Sequence, residues 1–391
     1  MKKLGVSSLE VDGRRVFVRV DFNVPLENGV VGDDTRIRET LPTLRLLMER
    51  GAKLVVASHL GRPKGKPKPE FSMAPVAERL ASLLGRGVRF AGAIVGPPVD
   101  EEISKLAEGD VLLLENLRFD PGEEANDPAF AKKLAATAEL YVNDAFGAAH
   151  RAHASTEGMV KHFRLAAAGL LMEKELHYLG MALSSPPRPF VGLLGGAKVS
   201  DKIDVVRSLL SKVDRLLIGG GMAYTFLRAK GLPTGKSLVE EDKIDLAGEL
   251  LSEGGSKLRL PVDHVVASRF DAGAETRTLP IGEIPDGWMG LDIGPATVAA
   301  YGEEIRGAKL VVWNGPMGVF EMEPFAQGTM KLAESVASSA ATSIVGGGDS
   351  VAAVHRAGVA DEITHISTGG GASLEFLAGE KLPGVEALTD A

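Results

Sequence analysis

The sequence predicts an α/β protein of two domains, each built on a mostly parallel sheet covered by helices. Two observations carry this. Short apolar runs alternate with helix-length amphipathic stretches from end to end, the βαβ rhythm that buries parallel strands between helices. In the second half, five apolar runs end in glycine clusters: Phe190–Leu194 into Gly195-Gly196-Ala197-Lys198, Leu216–Ile218 into Gly219-Gly220-Gly221, Leu310–Trp313 into Asn314-Gly315-Pro316, Ser343–Val345 into Gly346-Gly347-Gly348-Asp349, and Ile363–Ser367 into Thr368-Gly369-Gly370-Gly371. A buried strand followed by glycines and a helix-compatible stretch presents backbone N–H groups to an anion, favoured further by the helix dipole. The architecture is therefore Rossmann-like in both halves.

In the first half the strand-like runs are Arg15–Val20, Lys53–Ser58, Val88–Phe90, Val111–Glu115 and Leu140–Asn143. Between them, Thr40–Arg50 and Met73–Leu84 carry apolar residues at helical spacing. Ala166–Leu183 reads as one helix, and Ser184-Ser185-Pro186-Pro187-Arg188-Pro189 as its stop. The rhythm restarts at Phe190, so the domain change is placed near that helix, with domains 1–170 and 171–377 and a helical hinge joining them.

At 391 residues each domain is long enough to bury a core, and 45% apolar with 25% charged residues is ordinary globular composition. Residues 1–9 contain two lysines but no apolar stretch behind them, so a secretory leader is not expected. No cysteine is present, which excludes disulfides and thiolate chemistry and fits a reducing cytoplasm. A net charge of −8 argues against nucleic acid or an anionic membrane as partner. The string Gly231–Ser237 has one residue too few between its glycines for a P-loop and reads as a surface turn. The absence of G-x-G-x-x-G counts against a nicotinamide dehydrogenase.

The two halves differ in chemistry. First-half strands end in basic and polar residues: Asp21 and Asn23, His59 and Arg62, Arg118, and His150, Arg151 and His153, with Arg36 close by in the chain. Carboxyl ends of parallel strands share one edge, so these side chains converge on a pocket for a small anion, and arginine forks suit carboxylate and phosphate. The second half offers Lys198 and Lys202, four residues apart, which share a face if Lys202 begins a helix. Asp349 follows three glycines, where it either caps a helix or holds Mg²⁺. Glu321 either takes ribose hydroxyls or is a solvated charge. With no evident nucleophile, two anionic ligands imply direct phosphoryl transfer.

Arg19–Pro25 (RVDFNVP), Ser58–Pro63 (SHLGRP), Glu115–Pro121 (ENLRFDP), Asn143–Thr156, Gly195–Lys202 (GGAKVSDK), Gly219–Phe226, Trp288–Pro295, Trp313–Glu321 (WNGPMGVFE), Gly346–Ser350 (GGGDS) and Ser367–Glu375 resemble the signatures of phosphoglycerate kinases, in family order along nearly the whole chain. The resemblance implies reversible phosphoryl transfer between 1,3-bisphosphoglycerate and ADP, giving 3-phosphoglycerate and Mg-ATP, in a closed interdomain cleft. It assigns Asp21, Asn23, Arg36, His59, Arg62, Arg118 and Arg151 to the phosphoglycerate pocket. It assigns Gly196, Ala197, Lys202, Gly220, Gly290, Asn314, Pro316, Glu321, Gly347, Gly348, Asp349 and Ser350 to the nucleotide, with Asp349 on Mg²⁺. Arg36, Lys198, Gly347 and Gly370 are matched to the groups around the transferring phosphoryl. Ser350 stands where many members carry Thr and keeps the hydroxyl. The resemblance also implies that the tail, 378–391, returns to the first domain, and that the protein is a cytoplasmic monomer.

Overall fold

The computed structural model describes residues 2–391, and Met1 lies outside them. The chain divides into two compact units, one of residues 1–177 with Lys381–Ala391 and one of Tyr178–Glu380. The boundary falls inside the helix Leu170–Ser184, which is continuous in the chain from one unit to the other.

The first unit contains strands β1 (Arg15–Arg19), β2 (Leu26–Glu27), β3 (Val30–Val31), β4 (Lys53–Ala57), β5 (Arg89–Phe90), β6 (Val111–Leu113), β7 (Leu140–Asn143) and β8 (Ala166–Ala168). Apart from the β2–β3 hairpin they form one parallel sheet in the order β5-β6-β4-β1-β7-β8. Val16, Phe17 and Val18 on β1 and Leu54, Val55 and Val56 on β4 are all fully buried, so these strands read as unbroken apolar runs, as a sheet covered on both faces requires. One helix, Ala74–Leu84, ends at Gly85 in the left-handed conformation, φ +69°. The tail belongs to this unit: Gly384 N–H donates to the Ala149 carbonyl at 2.8 Å and Thr389 N–H to that of Ala166 at 3.0 Å.

One expectation is corrected here. Ala166–Ala168 is not the start of the long helix but strand β8, paired in register with Tyr141–Asn143. Alanine has the best helix propensity, but that preference is small per residue. It yields to the ladder hydrogen bonds and burial at the sheet edge.

In the second unit the strands are β9 (Phe190–Leu194), β10 (Arg215–Ile218), β11 (Leu258–Arg259), β12 (Asp263–Ala267), β13 (Thr276–Pro280), β14 (Met289–Ile293), β15 (Leu310–Asn314), β16 (Thr342–Gly346) and β17 (His365–Ile366). The main sheet is parallel, in the order β11-β10-β9-β15-β16-β17. Its core gathers Val191, Leu193, Val311, Trp313 and Val345 from the strands with Leu332 and Val336 from the helix Gln327–Ala337. A separate antiparallel sheet, β13-β12-β14, has no counterpart in the βαβ reading.

Candidate functional site

Each unit carries a candidate binding site at the carboxyl end of its own parallel sheet. In the first unit, β6, β4, β1 and β7 are neighbours, so the segments that follow them leave from one edge. They deliver Arg118, then His59 and Arg62, then Asp21 and Asn23, then Arg151. Arg36 reaches in from the helix Thr35–Glu49 and donates from Nη1 to Asp21 Oδ2 at 2.8 Å. Asn23 Oδ1 accepts from Gly61 N–H at 2.9 Å, and Arg118 Nη1 donates to the Gly61 carbonyl at 2.8 Å. Gly61 is thereby pinned from both sides, which fixes the loop that carries Arg62. Among the described residues, Arg62 and Arg151 form no side-chain hydrogen bond or ion pair.

The electrostatics are those of an anion site. His59 is buried, and burial together with the charges of Arg19, Arg118, Arg151 and Arg36 holds its basicity far below the ordinary histidine value. Arg118 is also pushed down, first by burial and against the Glu124 charge, with Arg151 and Arg19 adding repulsion. Burial and the nearby arginines take His153 down to about 4. Clustered cations of this kind repel one another until an anion arrives, so each gains from a bound carboxylate or phosphate.

In the second unit the five glycine clusters do follow five neighbouring strands, but they do not all serve a ligand directly. Gly195 N–H donates to Asn314 O, Gly196 N–H to Pro316 O, Gly219 N–H to Leu194 O and Gly220 N–H to Met317 O. These amides stitch three turns together. Gly220 shows why glycine is needed: its φ is +68°, and a Cβ there would lie 2.6 Å from Gly196 N and O. Amides that remain for an anion include those of the first turn of the helix Gly348–Arg356, which have no intrahelical partner. Gly347 precedes that helix, and Gly370, φ +54°, precedes the helix Gly371–Leu377.

The lysines part company as well. Lys198 is exposed and makes no side-chain hydrogen bond or ion pair among the described residues. Lys202 is buried, and its ammonium donates to Gly195 O at 2.7 Å, Asn314 O at 3.0 Å and Asn314 Oδ1 at 2.7 Å. Its three hydrogens are all used, and burial lowers its pKa to about 8. The condition for a shared face, Lys202 in the first turn of a helix, is not met: Lys202 ends a 3₁₀ turn, Ser200–Lys202, ahead of the helix Ile203–Leu210. Asn314 Nδ2 donates to Gly346 O, and Ser350 Oγ accepts from Gly315 N–H, so both residues brace the turns.

Beside these turns lies a cavity of about 720 Å³. Gly196, Ala197, Gly220, Gly290, Pro316, Glu321 and Asp349 line it, as do Tyr224, Leu238, Met317 and Val319. Its walls are mainly apolar, and Lys202, Asn314, Gly347, Gly348 and Ser350 are not among its lining residues. One wall comes from the antiparallel sheet. There Gly290 faces Tyr224 so closely that a Cβ would sit 1.5 Å from the hydroxyl. Tyr224 Oη lies 3.0 Å from His264 Nδ1, and burial raises the Asp292 carboxyl to about 7. Of this wall the sequence assigned only Gly290: Tyr224 and Asp292 fall inside the strings Gly219–Phe226 and Trp288–Pro295 without a role of their own, and His264 lies in no such string. Gly231–Ser237 is a turn, but a packed one: Ser237 Oγ accepts from Gly290 N–H at 2.9 Å, and Lys236 lines the cavity. The arrangement suits a flat group with apolar faces and an anionic tail that ends at the Gly348 helix.

The family model for phosphoglycerate kinase matches residues 6–380. The chain is 61% identical to the phosphoglycerate kinase of Koribacter versatilis, with all of both sequences covered, and 60% identical to that of Moorella thermoacetica, again over the full length of both. Among solved structures it resembles phosphoglycerate kinase from Coxiella burnetii, at TM-score 0.91 and 41% identity over 98% of each chain. It also resembles that from Pyrococcus horikoshii, at TM-score 0.86 and 36% identity over 98% of each.

Proposed function

The chain belongs to the phosphoglycerate kinase family and transfers a phosphoryl group reversibly between 1,3-bisphosphoglycerate and ADP in glycolysis, and on that premise we propose how its residues divide the work. The carrying observation is that each unit gathers one ligand's recognition groups at one sheet edge: a cluster of arginines in the first, with Arg62 and Arg151 unpaired among the described residues, and an apolar cavity with helix N–H groups in the second. Arg62, Arg118 and Arg151 take the carboxylate and phosphate of 3-phosphoglycerate, while Asp21, Asn23 and His59 orient it. The cavity holds the base and ribose, with Glu321 on the ribose hydroxyls. Gly347, Gly348, Asp349 and Ser350 face the phosphates. Asp349 is exposed, lines the cavity and forms no ion pair. A lone carboxylate fits Mg²⁺ arriving with the nucleotide and keeping its own waters. Among the described residues no cluster of three metal-ligating side chains exists.

In the ATP-consuming direction, a carboxylate oxygen of 3-phosphoglycerate attacks the γ-phosphorus as the bond to the β–γ bridging oxygen breaks. The nucleophile is already ionised, so no general base is needed. Charge spreads over the three equatorial oxygens, where Arg36, Lys198 and the turns at Gly347 and Gly370 stabilise it. Reacting atoms must come within about 3–3.5 Å with water excluded, so transfer takes place only when the two units bring their strand ends together. On the same reading the chain acts as a monomer in the cytoplasm with its glycolytic substrates. A coupled assay tests the reading: ATP consumption should require 3-phosphoglycerate, and scattering should show compaction with both substrates bound. ATP hydrolysis independent of 3-phosphoglycerate, or no compaction, would count against it.

A further inference from the structure

Beneath the first unit's pocket lies a buried polar chain that the proposed chemistry does not use. Glu123, Ser155 and Arg19 are at most 1% exposed, and His59, at the pocket floor, is 5% exposed. Glu123 accepts twice from Ser155, at Oε2 from the backbone N–H (3.0 Å) and at Oε1 from the hydroxyl (2.5 Å). The Ser155 hydroxyl has one hydrogen, and it goes to Glu123. Its oxygen is left to accept, and it accepts from Arg19 Nε at 2.7 Å. Arg19 Nη1 donates to the Val20 carbonyl, and Nη2 lies 3.2 Å from His59 Nδ1.

The direction of that last contact follows from chemistry. A guanidinium only donates, so His59 Nδ1 must accept, and the ring's proton is left on Nε2. A proton on Nδ1 would set two donors against each other at 3.2 Å. Asp21 Oδ1, at 3.9 Å from Nδ1, is too far to reverse this. We propose that Arg19, held by Ser155 and Glu123, is a positioning residue that fixes His59 in the tautomer with its proton on Nε2, making the ring a hydrogen-bond donor to the phosphoglycerate. The proposal rests on the pocket assignment of His59 above.

The surrounding charges agree. Arg19, Arg36, Arg118 and Arg151 face the ring against the single nearby carboxylate of Asp21, and with burial they keep it neutral. Glu123 Oε1, 4.0 Å from Arg19 Nη2, supplies the counter-charge that keeps Arg19 buried in place. Ser155 is in turn fixed by the Tyr141 hydroxyl, which donates to its carbonyl at 2.9 Å.

Nitrogen-15 NMR of the histidine rings in the full-length protein reads the tautomer directly. At pH 7 His59 should show a protonated Nε2 and a bare Nδ1, and a proton on Nδ1 overturns the proposal. Arg19→Met should abolish the single-tautomer signature and raise the KM for 3-phosphoglycerate about tenfold with the KM for ATP unchanged. If that variant does not fold, Ser155→Ala, which removes the hydroxyl that accepts from Arg19 Nε and donates to Glu123, should show the same split. A retained signature with an unchanged KM in a folded variant refutes the positioning role. His59→Phe separates the two readings. An unchanged KM for 3-phosphoglycerate would remove His59 from the pocket, whereas the NMR signature alone decides the tautomer.

Discussion

Replacing Arg62 and Arg118 by alanine, one at a time, should produce the same binding defect but different stability defects. Both are proposed to bind 3-phosphoglycerate through charge-assisted bonds worth about 1.5–3 kcal/mol. Either loss should weaken binding by roughly ten- to a hundred-fold and leave ATP affinity unchanged, because the cavity is lined wholly by the second unit. Arg62 is exposed and unpaired among the described residues, so its removal should cost no more than about 0.5 kcal/mol of stability. Arg118 is buried and bonded at 2.8 Å to the Gly61 carbonyl, and its Nε lies 3.2 Å from Glu124 Oε1. The Glu124 side chain is half exposed, so that ion pair adds at most about 1 kcal/mol. The bond to Gly61 and the buried stem dominate, for a total of about 2–3 kcal/mol. At about 2–4 °C per kcal/mol for a unit of this size, Arg118→Ala should lower the first unit's Tm by roughly 4–12 °C, while Arg62→Ala should leave it almost unmoved. Calorimetry reads both quantities: titration for each ligand, scanning for the melt. Equal losses of ATP and 3-phosphoglycerate affinity would refute the division of labour. An unchanged melt in Arg118→Ala would refute the structural role of the Gly61 bond.

Three further outcomes are expected. Lys198→Ala should lower kcat far more than it raises either KM, since a contact made mainly in the transition state is lost; a change confined to KM would contradict it. The helix Gly348–Arg356 has Gly347 as its N-cap and no side-chain cap bond, so Asp349 is a first-turn carboxylate and not the cap the sequence allowed; Asp349→Asn keeps its shape and loses the charge proposed to face Mg²⁺. It should therefore cut turnover at limiting Mg²⁺ with a nearly unchanged melt, and full turnover there would leave Asp349 a plain first-turn charge. Lys202 gives a pH signature. Its folded pKa is lowered from 10.5 to about 8, so below pH 8 it is protonated in both states and contributes no slope. Between about 8 and 10.5 the unfolded chain holds a proton the folded one has released, and stability should rise with pH by up to about 3 kcal/mol from this group. Urea unfolding of wild type and Lys202→Met at pH 7.5 and about pH 9.5 isolates the term, and identical pH slopes would show that Lys202 is not buried as a charge.

Much was legible in the chain itself because parallel α/β architecture is local in its signals. Apolar runs such as Phe190–Leu194 and Leu310–Trp313 fall within strands β9 and β15 because a strand covered on both faces has nowhere to put a polar residue. Residues after β1, β4, β6 and β7 share one edge by topology alone, so Asp21, His59, Arg118 and Arg151 could be grouped from the sequence. The sequence motifs likewise determined the family, since their order spans the chain.

What the sequence left open were matters settled by neighbours distant along it. Whether a lysine is a free cation or a buried brace depends on which carbonyls surround it. Lys198 and Lys202 look alike in the sequence, yet one is solvated and the other binds Asn314, 112 residues away. The same holds for Ala166–Ala168, whose weak helix preference lost to pairing with β7. The cavity wall of Tyr224, His264 and Asp292 joins a helix to an antiparallel sheet whose strands carry no glycine-turn signature. His59 shows the limit most sharply. Its type and place after β4 were readable, but its proton is set by Arg19, Ser155 and Glu123, three residues that only the folded chain stacks beneath it. Local propensity and periodicity determine elements and edges; burial and hydrogen-bond direction are long-range properties, and they decide what each charged group at those edges can do.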